Sequence, residues 1–229
     1  IKNFQSIRKM LHKMVNKGDK IAMGYLGCIY ALDNDFDSAS KFFELGASQK
    51  DVSSCEALYY LYMNEFMEKE IPEKYVDKKR ALTYGKQATA LGHADIANKM
   101  GVIYDEGKIV PKDMTEAIKY YEIAVSYGNT FACNNLASCY RDGNGVEQNY
   151  EKAVELYKKA AEQGYAGAQN ELGVLLFRGD GVEQDYNLAL HWFELAASNG
   201  NEVAKENVDE TRRKINESSR ICQIQILKN

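Results

Sequence analysis

The sequence predicts an all-α protein, a solenoid of stacked helix hairpins with about twelve helices and no β-sheet. Three observations predict it. A residue pattern recurs without gaps every 36 positions. Within each unit the apolar residues fall at i, i+3, i+4 and i+7, the spacing of an amphipathic helix. The 229 residues include only 2 prolines, which suits long helices better than a many-turned β fold. A repeat of this kind outweighs the loose prior that length sets on domain number.

The elements follow in order. The first eighteen residues read as an orphan second helix of a hairpin, with Ile7, Met10, Leu11, Met14 and Val15 inward and Gly18 as its stop. Residues 19–50 form the first hairpin: Leu26-Gly27 and Tyr30 on helix A, then Ala39, Phe42-Phe43 and Gly46-Ala47 on helix B. Residues 51–92 form the second, with Leu58-Tyr59 and Tyr62 leading to Ala81, Tyr84-Gly85, Ala88 and Gly92. Its inter-helix connection is six residues longer than in the later repeats, and the charged insert 67–74 is expected to project from one edge.

Residues 93–128, 129–164 and 165–200 carry the pattern in full. Helix A opens on Met100-Gly101, Leu136-Ala137 and Leu172-Gly173, and reaches Tyr104, Tyr140 and Leu176. Helix B begins on Ala117, Ala153 and Ala189, continues through Tyr120-Tyr121, Leu156-Tyr157 and Trp192-Phe193, and stops at Gly128, Gly164 and Gly200. Small residues on helix A let the facing helix approach, rings on helix B fill the space, and the trailing glycine takes the left-handed conformation that ends a helix. A lone hairpin cannot bury both faces, so its neighbours must stack on it. Residues 201–219, with Val203, Ala204 and Val208 on one face, read as a capping helix that closes a single solenoid over 1–219. The tail 220–229 alternates apolar and polar residues, as an extended strand, a docking segment or a disordered end would.

Composition narrows the function. Hydrophobic residues at 45% and charged residues at 27% allow a buried core. A net charge of -4 gives no basic footprint for nucleic acid. No stretch reaches the eighteen or so consecutive apolar residues of a membrane span.

The segments LASCYRDGNGVEQNYEKAVELYKKAAEQG and LGVLLFRGDGVEQDYNLALHWFELAASNG resemble the Sel-one-like repeat, a relative of the tetratricopeptide repeat. The resemblance is specific over 92–200 and looser over 19–91, where Lys50 stands at the stop-glycine position and Gly85 replaces an aromatic. It implies a right-handed α/α superhelix with a concave face, and a non-catalytic scaffold or adaptor that binds a protein or extended peptide there. In such stacks the groove is lined by positions around the helix A leucine. Here these are Asn98, Lys99, Val102 and Asp105; Asn134, Asn135, Ser138 and Arg141; and Asn170, Glu171, Val174 and Phe177. In the earlier repeats they are Tyr25, Cys28, Glu56, Tyr60 and Met63. Asn98, Asn134 and Asn170, spaced by 36, suggest an amide ladder for a peptide backbone. The alternatives are a toxin-neutralising immunity protein and, more distantly, a cell-wall or β-lactam hydrolase.

Chemical motifs are sparse. Gly143-Asn144-Gly145-Val146 and Gly179-Asp180-Gly181-Val182 lack the preceding strand and following Lys-Ser/Thr of a phosphate loop, and read as inter-helix turns. Ser6-Ile7-Arg8-Lys9 and Ser38-Ala39-Ser40-Lys41 match Ser-x-x-Lys, but no Lys-Thr-Gly or Ser-Asp-Asn completes a penicillin-recognising site, and Ser38 reads as a cap of helix B. His12, His93 and His191 fall at unrelated repeat positions, so no metal and no cofactor are expected. Cys28, Cys55, Cys133, Cys139 and Cys222 show no Cys-x-x-Cys spacing. The disulfide that the resemblance implies for secreted members lacks its partners, because Ala47 and Val125 stand there. Free thiols favour a reducing, cytoplasmic setting over a periplasmic or secreted one.

Overall fold

The computed structural model describes residues 2–67 and 70–228, with side chains described from residue 5 to residue 220. Among them are twelve α-helices, one short 3-10 helix and no strand. The chain forms two compact units, residues 1–112 and 113–229. The first holds α1 (Lys2–Val15), α2 (Lys20–Leu32), α3 (Phe36–Ser48), α4 (Val52–Met63), α5 (Lys78–Ala90) and α6 (Ala94–Glu106). The second holds α7 (Met114–Ser126), α8 (Thr130–Asp142), α9 (Tyr150–Glu162), α10 (Ala166–Arg178), α11 (Tyr186–Ser198) and α12 (Glu202–Lys228). Within each unit, helices adjacent in sequence pack on one another.

The termini explain why the helices start and stop where they do. Side-chain oxygens of Asp19, Asp35, Asp51 and Asp77 accept the first backbone N–H groups of α2 to α5, and Asn129, Asn149 and Asp185 serve α8, α9 and α11. Ser38 is therefore not the cap of α3: its own N–H donates to Asp35 Oδ1, 3.0 Å away. The stop glycines take positive φ, from +83° at Gly128 to +92° at Gly92, and Lys50 adopts φ +58° in the same place. One more bond recurs. The N–H at the start of helix B donates to the carbonyl near the end of helix A: Asp35 to Tyr30 (2.9 Å), Asp77 to Tyr62 (3.0 Å), Asn149 to Tyr140 (2.9 Å) and Asp185 to Leu176 (3.0 Å). Loops of different length thus leave and rejoin the hairpin at one anchor.

Inside the hairpins, glycine and ring face each other. A Cβ on Gly27 would lie 2.4 Å from the Phe43 ring, and one on Gly173 would lie 2.6 Å from Phe193. In the second hairpin the two have changed sides. Tyr59 occupies the helix A glycine position, and a Cβ on Gly85 in helix B would lie 3.0 Å from the Tyr59 ring. The departure at Gly85 is one half of a compensated exchange.

Three further expectations are corrected. Ile7 and Met10 are 44% and 54% exposed, because α1 packs on α2 through Leu11, Met14 and Val15, with Arg8 and His12 against Tyr30. The insert 67–74 does not simply project: its Ile71 is buried, and so is Phe66 just before it, while Tyr75 just after it, at the end of the 3-10 helix Glu73–Tyr75, packs against Phe36 with centroids 5.6 Å apart. Residues 220–228 continue α12, since neither glycine nor proline interrupts the segment after Asn201. The Gly-x-Gly loops are the inter-helix turns that the sequence suggests, and they also pack. The second glycine of each seats on the start of the preceding helix B, a Cβ on Gly181 falling 2.4 Å from the Tyr150 backbone and one on Gly145 falling 2.6 Å from Met114 Cβ.

Candidate binding surfaces

In the first unit the helix A row is formed by α2, α4 and α6. Tyr25 is 61% exposed, and Ile21, one turn earlier on α2, is 59% exposed. Together they flank a cleft of about 310 Å³ bounded by Gly24, Cys28, Phe43, Asp51 and Ser53. Gly24 opens it, because a Cβ there would already touch the Asp51 carboxylate at 3.4 Å. Asp51 is held to the protein by the Ser54 N–H (2.8 Å) and hydroxyl (2.5 Å).

Further along the row, His93 Nδ1 accepts from the Ile96 N–H (3.3 Å) to cap α6, while its Nε2 lies 3.2 Å from the Glu56 carboxylate. The hydrogen bond to Glu56 holds the imidazole pKa above its ordinary value. The Lys99 ammonium stands 5.2 Å from the centre of the Tyr60 ring and 3.3 Å from Glu65. Asp105 pairs with Lys112 at 3.2 Å. Asn98 and Val102 are half-buried. Met63, expected in the groove, is only 9% exposed and belongs to the core.

In the second unit the row is formed by α8, α10 and α12. Asn134 and Asn135 are half-buried. Ser138 Oγ donates to the Asn134 carbonyl (3.1 Å) and lies 2.8 Å from the Tyr157 hydroxyl. Burial pushes that hydroxyl up to about 12. The Arg141 guanidinium is gripped by both Asp142 oxygens, at 2.7 and 2.9 Å, and by Glu171. The bond to Asp142 raises the arginine's pKa and lowers its partner's. Beside this group is a polar cavity of about 590 Å³ whose walls include Asn170, Val174, Val203 and Asn207. Phe177 packs on Tyr186 with centroids 5.1 Å apart.

Asn170 departs from the expected ladder of accessible amides. It is 6% exposed, and its Oδ1 accepts from Asn207 Nδ2 at 2.8 Å, so α12 has taken up the amide. Sequence reasoning also missed Ile21. The same position, five before the helix A leucine or its equivalent, holds Phe131 and Val203 in the second unit, both more than half exposed. An apolar residue there recurs without facing the core, and that recurrence was the available signal.

No group of histidine, cysteine and carboxylate side chains that could hold a metal ion occurs among the described residues. Cys28, Cys55, Cys133 and Cys139 are free thiols, and burial pushes Cys55 up to about 11, away from thiolate chemistry. Cys222 lies outside the described side chains. His12 is spent on Tyr30 and Phe42. No described helix is long and apolar enough to cross a membrane.

Caps, facing glycines and rings, and an outward helix A row define a helix-hairpin repeat protein. Residues 94–129, 130–165 and 166–201 each match the Sel1 repeat, so the chain carries three Sel1 repeats. Proteins of this kind typically act as protein-interaction scaffolds. Two solved structures are similar along most of the chain. A protective antigen of uropathogenic Escherichia coli displaying an SLR fold is 28% identical with a TM-score of 0.76, over 89% of this chain and 43% of that one. A Sel1 repeat protein from Oxalobacter formigenes is 25% identical with a TM-score of 0.74, over 90% of this chain and 84% of that one. The chain thus spans less than half of the Escherichia coli antigen. No curated protein matches it.

Proposed function

We propose that this protein is a non-catalytic interaction scaffold whose helix A rows bind a protein or extended peptide. The observation that carries the reading is the pair Ile21 and Tyr25, two large side chains left more than half exposed beside a cleft on α2 and α4. Apolar surface exposed next to a concavity with polar groups at its rim is the arrangement that peptide and protein recognition uses. The polar cavity lined by Asn170, Glu171 and Asn207 offers the second unit's row a different, hydrogen-bonding character.

The test is quantitative affinity capture from cells with the intact protein, Tyr25→Ala and Lys86→Ala, the last on helix α5. One specific partner, recovered by the intact protein and Lys86→Ala but reduced about tenfold by Tyr25→Ala, supports the reading. Equal recovery by all three contradicts it.

A further inference from the structure

We infer that the helix A row of the first unit selects a partner segment in which an apolar side chain accompanies a lysine or arginine, the apolar group entering the cleft beside Ile21 and Tyr25 and the cation lying between Glu56 and the Tyr60 ring. This rests on the helix A row being the binding surface.

Charge placement argues for the cation. The first unit as a whole is slightly basic, with 17 lysines and arginines in residues 1–112 against 15 aspartates and glutamates. Its helix A row nonetheless places Glu56 near the half-buried Cys28, Glu56, Glu65 and Asp95 near the half-buried Tyr60, and Asp51 beside Cys28 in the cleft, with Lys99 as the cation against the Tyr60 ring. Burial pushes both the Cys28 thiol and the Tyr60 hydroxyl upward, and the neighbouring carboxylates push them further. An anionic segment laid here meets like charge, and a cationic one is drawn in.

The surface already holds one cation in the same way. Lys99 rests against the Tyr60 ring while pairing with Glu65, the ring-and-carboxylate arrangement in which an ammonium or guanidinium is favoured. Glu56 is already paired with His93 at 3.2 Å, yet its side chain remains 37% exposed, which leaves room for a second cation on its open side. The apolar half follows from the cleft, where the Phe43 ring and Cys28 line a space too small for more than one or two side chains.

The test uses the full chain and three fluorescent twelve-residue peptides at physiological ionic strength: one carrying leucine and lysine, one leucine and glutamate, one serine and lysine. The leucine–lysine peptide is expected to bind about tenfold tighter than either of the others. Glu56→Gln and Tyr25→Ala are each expected to weaken it by about five- to tenfold, while Glu73→Gln, the same charge change in the insert, leaves it unchanged. Equal binding of the leucine–glutamate peptide, an equal loss with Glu73→Gln, or no binding by any peptide overturns the inference. Should Tyr25→Ala weaken all three peptides alike, the inference fails and the helix A row stands. If Lys86→Glu on helix α5 abolishes binding and Tyr25→Ala does not, the row fails as well.

Discussion

Tyr59 and Gly85 show how a repeat tolerates a broken consensus when the break is made twice. With glycine on helix A and a ring on helix B, or the reverse, the hairpin encloses the same volume. Tyr59→Gly is expected to cost about 3–5 kcal/mol, as for loss of a buried ring, and Gly85→Tyr about 1–3 kcal/mol through overpacking against Tyr59 and Met100. The double variant should lose at least about 1 kcal/mol less than the sum, since residues in contact do not add. Strict additivity in urea titrations would refute the exchange. The same geometry ranks Gly173→Leu, driven into Phe193, as more damaging than Gly179→Leu, which meets Gln184 Cβ at 3.2 Å and strains a backbone at φ +79°. The expected losses are about 1–3 kcal/mol for the overpacked site and nearer 1 kcal/mol for the strained turn, and an equal or reversed order would contradict it.

Asparagines separate what the sequence reveals from what it conceals. A spacing of 36 placed Asn134 and Asn170 at one repeat position, yet only the structure shows that Asn207 of α12 pairs with Asn170. Asn134→Ala should change stability by no more than about 0.5 kcal/mol. Asn170→Ala, which leaves the Asn207 amide without its acceptor, should cost about 1–3 kcal/mol. Calorimetric unfolding of the two variants checks this, and equal losses would overturn the distinction.

At the scale of the element, helix positions were legible because caps, stops and the 3.6-residue period agree. Asp, Asn and Gly mark nearly every boundary, and even Lys50 is forced into the turn conformation that the glycines adopt. Asn129→Ala, which removes the oxygen holding the Ala132 N–H at 2.7 Å, should cost about 1 kcal/mol, and an unchanged urea midpoint would contradict that cap. What stayed hidden is where a segment lands when no repeat governs it. The residues flanking the charged insert gave no sign that Phe66 would meet Phe43 or Tyr75 meet Phe36, because single aromatics in a loop have no period to read. The alternating tail left a strand, a docking segment and a disordered end open, but a helix already propagating through 201–219 continues until something stops it.

At the scale of the whole molecule, one hairpin rule recurs within each unit, in α2–α3, α4–α5, α8–α9 and α10–α11, which is why the sequence alone specified the fold class and about twelve helices. The binding surface was less legible. The helix A row was located by analogy, and its members turned out unequal: Tyr25 open, Met63 in the core, Arg141 held by carboxylates, Asn170 covered. Burial by a neighbouring element decides among residues that a repeat pattern treats as equivalent. The central claim, that the helix A rows receive the partner, is tested most directly by photo-crosslinking. A photoreactive residue placed in turn at Tyr25, Asn134, Lys86 and Glu122 samples both helix faces of both units. Crosslinks to one partner protein from Tyr25 or Asn134, with none from Lys86 or Glu122 on helices α5 and α7, are the predicted result; crosslinks from the helix B positions alone would contradict it.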